Sequence, residues 1–352
     1  MNLNLLKGIL ILLVIVDHND FARSIFPGFL LGFAFHVVGF MTIPFLKPAP
    51  ALDRAMGPYL FRLYWPFVVM TGMMAAAVVV LDHVPAPLQA ERWLLTLYSG
   101  NSAVLKQTTG MALLWYLPSF VSLVLLRSAI ERAGQPVKAL TIALLCVAHL
   151  FIGPVAPVIR DYLPLGVLPA LYVIPLGYLC VWAHRRLFER MPPLLALVLA
   201  TAVFIPIKYL QIRANLYNEV GFTELASYRA PGALMLNDLE SVFGVLMLFQ
   251  LCRFEFGAFV QACGRYSIQI YLFHAFIGLG IYKAVLRFAP ELDVLAQFAI
   301  SVAATAALTL LLARWLAERR LVQRFLFPRG LHVLLKGESV SAHRMKPLAA
   351  KS

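Results

Sequence analysis

The sequence predicts an all-α, polytopic membrane protein of about ten transmembrane helices with both termini cytoplasmic. Three observations predict it. First, 61% of the 352 residues are hydrophobic and only 13% are charged, against roughly 45–50% and 25% in soluble globular domains. Second, apolar stretches of bilayer-spanning length recur along the whole chain; a membrane β-barrel would show short alternating strands instead. Third, lysine and arginine alternate between crowded and sparse intervals, as the positive-inside rule requires.

The predicted spans lie at 4–18, 26–46, 59–81, 112–130, 138–153, 165–183, 193–211, 233–252, 266–286 and 295–316. The first lacks a small-residue cleavage site and runs into Asp17-His18-Asn19-Asp20. It reads as a retained helix and not as a signal peptide. The first and fifth are short and suit protein surroundings as well as lipid. The fourth opens on Trp115-Tyr116-Leu117-Pro118, and Gly264-Arg265-Tyr266 lead into the ninth, which holds His274. Residues 1–327 form one transmembrane domain. Residues 328–352 form a basic cytoplasmic tail, expected to be partly disordered and to lie near anionic lipid.

The formal net charge of +13 would suggest an acidic partner in a soluble protein. With the N-terminus inside, 21 of the 30 lysines and arginines fall in cytoplasmic segments. Topology therefore accounts for the charge, and no nucleic-acid partner is expected. Cys146, Cys180, Cys252 and Cys263 are scattered without a CxxC pair, as buried small hydrophobes would be. Neither a disulfide framework nor a metal centre is predicted. Cys146 and His149 share a helix face, but a nucleophile needs an activated thiolate, which an apolar span disfavours.

Two outer loops are expected. Residues 82–111 carry Asp82, His83, Glu91, Arg92, Trp93, Tyr98, Asn101 and Lys106. Residues 208–240 carry Lys208, Gln211, Arg213, Asn215, Tyr217, Asn218, Glu219, Glu224, Tyr228, Arg229, Asp238 and Glu240. The second mixes rings, amides and charges. That composition suits either a sugar or plain solvation.

Chemistry concentrates on the first span. Lys7 and His18 are eleven residues apart, which is about three turns, so both project from nearly one face. The rise between them is roughly 16 Å, about half the hydrocarbon thickness. Histidine accepts a hydroxyl proton near neutral pH, and Asp17 or Asp20 is placed to orient the ring. The plainer alternative is a snorkelling lysine and a histidine that ends the helix. Gly8 admits close approach of a ligand or another helix.

Four stretches together resemble the acyltransferase-3 family of integral membrane acyltransferases. They are Lys7-Gly8 followed by His18, Phe35-His36-Val37-Val38-Gly39-Phe40, Leu114 to Pro118, and Gly264 to His274. The resemblance spans the chain and includes the ten-helix count. It departs at Lys7, where many members have arginine, and at Ile43-Pro44-Phe45, where a Ser-Gly pair is common.

The resemblance implies a membrane O-acyltransferase of a bacterial inner (plasma) membrane, in the branch that modifies surface polysaccharides. The donor would be a cytoplasmic acyl-CoA, most often acetyl-CoA, used as substrate with no bound cofactor. The acceptor would be a hydroxyl of a cell-surface or lipid-linked glycan. His18 would act as general base or relay the acyl group. Lys7 would hold an anionic part of the donor or stabilise developing charge, and Asp17 or Asp20 would orient His18. His36, Trp115, Tyr116 and His274 are supporting candidates. Arg54, Arg62, Arg185 and Arg186, with Lys7, are candidates for the donor phosphates. A transporter or flippase of a polysaccharide pathway is the competing class, because Pro164, Pro169, Pro175 and Pro206 break or flank spans. A succinyltransferase of the same family is a further alternative.

Overall fold

A computed structural model describes residues 1–25, 34–111, 113–159, 162–214, 231–328 and 330. Among them there is no strand. In lipid a backbone must satisfy its own hydrogen bonds, and the helix does so within one segment. Sixteen helices follow in order: α1 (Leu3–Asp17), α2 (Asp20–Ile25), α3 (Ala34–Thr42), α4 (Leu52–Tyr59), α5 (Trp65–Leu81), α6 (Ala86–Ser99), α7 (Ser102–Thr109), α8 (Tyr116–Arg132), α9 (Gln135–Ile159), α10 (Val167–Ala183), α11 (Pro193–Arg213), α12 (Pro231–Leu251), α13 (Ala258–Arg265), α14 (Ser267–Phe288), α15 (Val294–Glu318) and α16 (Arg320–Phe325).

Seven stretches among the described residues are long and apolar enough to cross a membrane: Met56–Leu81, Leu113–Arg132, Val167–Phe188, Pro193–Arg213, Leu234–Leu251, Ser267–Phe288 and Val294–Glu318. Each overlaps a predicted span. The first, second and fifth predicted spans correspond to α1, to the shorter apolar run Phe35–Leu46, and to that at Gln135–Phe151. α1 is sheathed by protein: Leu5, Leu6, Leu10 and Ile11 are fully buried. By contrast α9 and α11 leave Leu140, Leu144, Leu194 and Ile205 on the outside, the apolar surface that a lipid-facing helix presents.

Two predicted loops are revised. Residues 82–111 fold as the helical hairpin α6–α7. Gly100 and Gly110 end the two helices at φ +59° and +74°, a conformation that glycine adopts without strain. The Asn101 side chain accepts a hydrogen bond from the Ala103 amide and caps α7. Trp93 docks the hairpin on α5 by donating to Thr71 Oγ1 at 3.1 Å. Mixed polar and apolar composition hid these helices. In the second predicted loop, Lys208 and Gln211 belong to α11, and Asp238 and Glu240 to α12. The predicted residues Asn215 to Arg229 lie outside the described residues, as do Arg160 and the tail from 331.

Three of the four cysteines are buried as expected. Cys146 is exposed on the outer face of α9 instead.

Arg127 is also more than a cytoplasmic anchor. Its guanidinium donates to the carbonyls of Pro44 at 2.7 Å and Lys47 at 2.6 Å, and sits 5.0 Å from the Phe45 ring centroid. It thereby closes the 3₁₀ turn Ile43–Leu46 that follows α3. Charge-assisted hydrogen bonds contribute roughly 1.5–3 kcal/mol each. Arg127→Ala is expected to cost on the order of 3 kcal/mol, read as a lower midpoint of thermal unfolding in detergent. Arg127→Lys should recover only part, because it cannot fork.

Candidate active site

The geometry begins with two glycines. A Cβ on Gly8 would stand 1.9 Å from the Val260 carbonyl oxygen, and one on Gly264 would stand 1.8 Å from that of Asn4. α1 and α13 therefore touch backbone to backbone, as small residues allow inside membranes. The neighbour that Gly8 admits is thus a helix. His18 lies ten residues beyond Gly8, and His274 ten residues beyond Gly264. At the far end of α1 the ring of His274, on α14, meets that of His18: His274 Nε2 is 3.1 Å from His18 Nδ1, with centroids 5.2 Å apart.

Partner chemistry assigns the tautomers. His274 Nδ1 is 2.7 Å from the Tyr271 carbonyl oxygen, which only accepts, so Nδ1 carries the proton. In the neutral ring Nε2 is then the acceptor, and His18 Nδ1–H donates to it. That leaves His18 Nε2 as the basic nitrogen, as a general base requires. His274 is 1% exposed.

Aromatic rings join this pair to the third motif. Tyr271 donates its hydroxyl to the Leu113 carbonyl. Its ring centroid lies 5.9 Å from that of His274 and 5.4 Å from that of Tyr116. Tyr116 in turn lies 5.9 Å from Phe40 of α3, and Trp115 lies 6.3 Å from Tyr116. All four sequence stretches thus converge beside α1. His36 is buried on α3, edge-on to Phe35.

The carboxylates are placed differently from each other. Asp17 ends α1 and is partly exposed. Asp20 is exposed in the first turn of α2. Between them Asn19 is buried; its amide donates to Ser301 Oγ of α15 at 2.8 Å, and its Oδ1 accepts from the Phe21 amide. The ring contact that the structure gives His18 comes from His274.

The N-terminal end of α1 is cationic. Half-buried Lys7 feels the charge of Lys47, whose carbonyl is clamped by Arg127. Arg127 interacts electrostatically with Arg185, and Tyr59 interacts with both Arg127 and Arg62. Arg62 and Arg185 are exposed on two π-helical turns, Leu60–Tyr64 and His184–Phe188. Arg186 is exposed on the second of those turns. Arg54 lies on α4, and its side chain is outside the described residues. Among the described residues no three His, Cys, Asp or Glu side chains gather as a metal site would need.

Sequence reasoning missed the parts played by Lys47 and Arg127 here, and the polar groups of α11 and α12. The pairs Lys208/Gln211 and Asn237/Glu240, each three residues apart, signalled polar helix faces.

A half-buried histidine against a buried one, with cations toward the other end of the same helix, lies inside a bundle of apolar helices. The chain belongs to the acyltransferase-3 family: the model of its acyltransferase domain matches residues 2–314. It is therefore an acyltransferase, and its multi-pass membrane character follows from the family and the apolar helices together. Neither the curated proteins nor the solved structures gave a match.

Proposed function

We propose that the protein is an O-acyltransferase of a bacterial inner membrane, with its N-terminus cytoplasmic, that moves an acyl group from acyl-CoA to a hydroxyl of a cell-surface or lipid-linked glycan. Acetyl is the expected group. The observation that carries the proposal is the His18–His274 pair, set along one helix from the Lys7 end.

His18 Nε2 takes the proton of the acceptor hydroxyl as its oxygen attacks the thioester carbonyl. The tetrahedral oxyanion collapses, the C–S bond breaks, and the departing CoA thiolate takes the proton back from His18. Atoms and charge balance without a further reactant. Lys7, Lys47, Arg62 and Arg185 supply cations for the donor phosphates, while the pantetheine arm extends along α1 toward His18. The neutral His18–His274 pair supports the base role, and the cationic cluster at the Lys7 end supports the donor role.

Two measurements test the reading. Purified protein in nanodiscs should release CoA from acetyl-CoA only with acceptor present. Mass spectrometry of the surface glycan should show one acetyl per repeat lost on deletion of the gene. A succinyl mass difference would change the donor. Flipping of a lipid-linked glycan without any acyl change would replace the reading with a transporter.

A further inference from the structure

The corner between α1 and α2 is held through three neighbouring side chains. His18 Nδ1 is 3.1 Å from His274 Nε2 of α14. Asn19 Nδ2 donates to Ser301 Oγ of α15 at 2.8 Å. The Phe21 ring lies against Tyr282 of α14, with centroids 4.7 Å apart. α14 and α15 meet beside these contacts: a Cβ on Gly278 would lie 3.6 Å from Thr305 Cγ2. Gly278 is one turn from His274, and Thr305 is one turn from Ser301. The contacts therefore close a loop. It runs from His18 to His274, along α14 to Gly278, across to Thr305, along α15 to Ser301, and through Asn19 back to His18.

Asn19 uses every hydrogen-bonding group it has in that corner, and it is 6% exposed. Its Oδ1 accepts from the Phe21 amide at 3.0 Å and so caps the start of α2. A backbone N–H only donates, so the amide oxygen faces Phe21 and Nδ2 faces Ser301. Its own N–H donates to the Val16 carbonyl at 3.1 Å, and its carbonyl accepts from the Ala22 amide at 3.0 Å. Asparagine can cap a helix and donate outside it with one side chain. An ionised aspartate, such as Asp17 or Asp20 on either flank, offers acceptors alone.

We propose that Asn19 is a positioning residue for the His18 base: its hydrogen bond to Ser301 fixes the α1–α2 corner so that the His18 ring stays at hydrogen-bond distance from His274. The inference rests on the base role of His18 given above. Ser301 enters the reaction only through Asn19.

The test uses full-length protein in nanodiscs, with acetyl-CoA as donor and surface glycan from the deletion strain as acceptor. Ser301→Ala removes the hydroxyl and leaves the cap of α2 in place. Asn19→Ser keeps an oxygen for the Phe21 amide but is too short to reach α15. Each should lower kcat about 10–100-fold, as small misplacements of a catalytic group do, with KM for acetyl-CoA unchanged. Ser301→Ala also orphans the buried Nδ2 and should lower the melting temperature. The double variant has no such orphan. Its melting temperature should return toward that of the wild type, while its kcat stays as low as that of the slower single variant. A structural role alone would restore both together, and that result overturns the proposal. So does wild-type kcat in either single variant, or a double variant whose loss is the product of the two. If Asn19→Ser does not fold, Ser301→Ala decides: wild-type kcat refutes the role of Asn19, and a lowered kcat at unchanged KM supports it. His18→Ala run alongside separates the readings. If it turns over normally, the base role fails; if it is inactive while Ser301→Ala is normal, only the role of Asn19 fails.

Discussion

His18→Ala should lower kcat for acyl transfer by a factor on the order of 10²–10⁴, the usual worth of a general base, and leave KM for acyl-CoA near its wild-type value. The split follows from placement, because the donor phosphates are assigned to the Lys7 end of α1 and the base to its far end. His274 refines the expectation. Its role is to accept from His18 Nδ1–H and so leave Nε2 basic. His274→Leu removes the acceptor and should lose much of the rate. His274→Gln offers a carbonyl oxygen near the same place and should retain more. CoA release measured with a thiol reagent checks all three variants. Equal rates for the leucine and glutamine variants would sink the tautomer argument.

Gly264→Val should be the most disruptive substitution in the helical core. A Cβ there would lie 1.8 Å from the Asn4 carbonyl oxygen and 2.9 Å from the Gly8 amide nitrogen. Both are backbone atoms and cannot rotate away, so α1 and α13 must separate. Overpacking typically costs about 1–3 kcal/mol, and more where backbone is displaced. The same separation displaces His18 from His274, so activity should fall further than stability. Gly280, on α14, has nothing within 4 Å of its Cβ position; Gly280→Ala should be close to neutral in both. Thermal unfolding and CoA release on the three proteins decide it. A stable, active Gly264→Val variant would contradict the packing.

The helical spans were legible because length and apolarity are local properties, and a bilayer selects strongly for both. α6 and α7 were not, because their residues alternate in character, and their caps at Gly100, Asn101 and Gly110 only make sense once the helices are seen. The seam around Lys208 and Glu240 was read as outer loop because charges near a span end truncate an apolar window. Their mutual neutralisation depends on a partner 32 residues away. The site divides in the same manner. His18 and Lys7 stand out within one helix. The carboxylates beside His18 drew attention through adjacency, whereas the ring that meets it belongs to a helix 256 residues further on.

The Gly8–Gly264 and His18–His274 contacts also set a timetable for biosynthesis. At about 5–20 residues per second, the ribosome needs roughly 10–50 s after making α1 before α14 exists to meet it. Throughout that interval α1, whose packing faces are apolar, has neither the α13 backbone nor the His274 ring beside it. The reaction centre is therefore completed only when most of the chain has been inserted. A nascent protein arrested after α12 carries His18 but lacks the His274 ring that meets it.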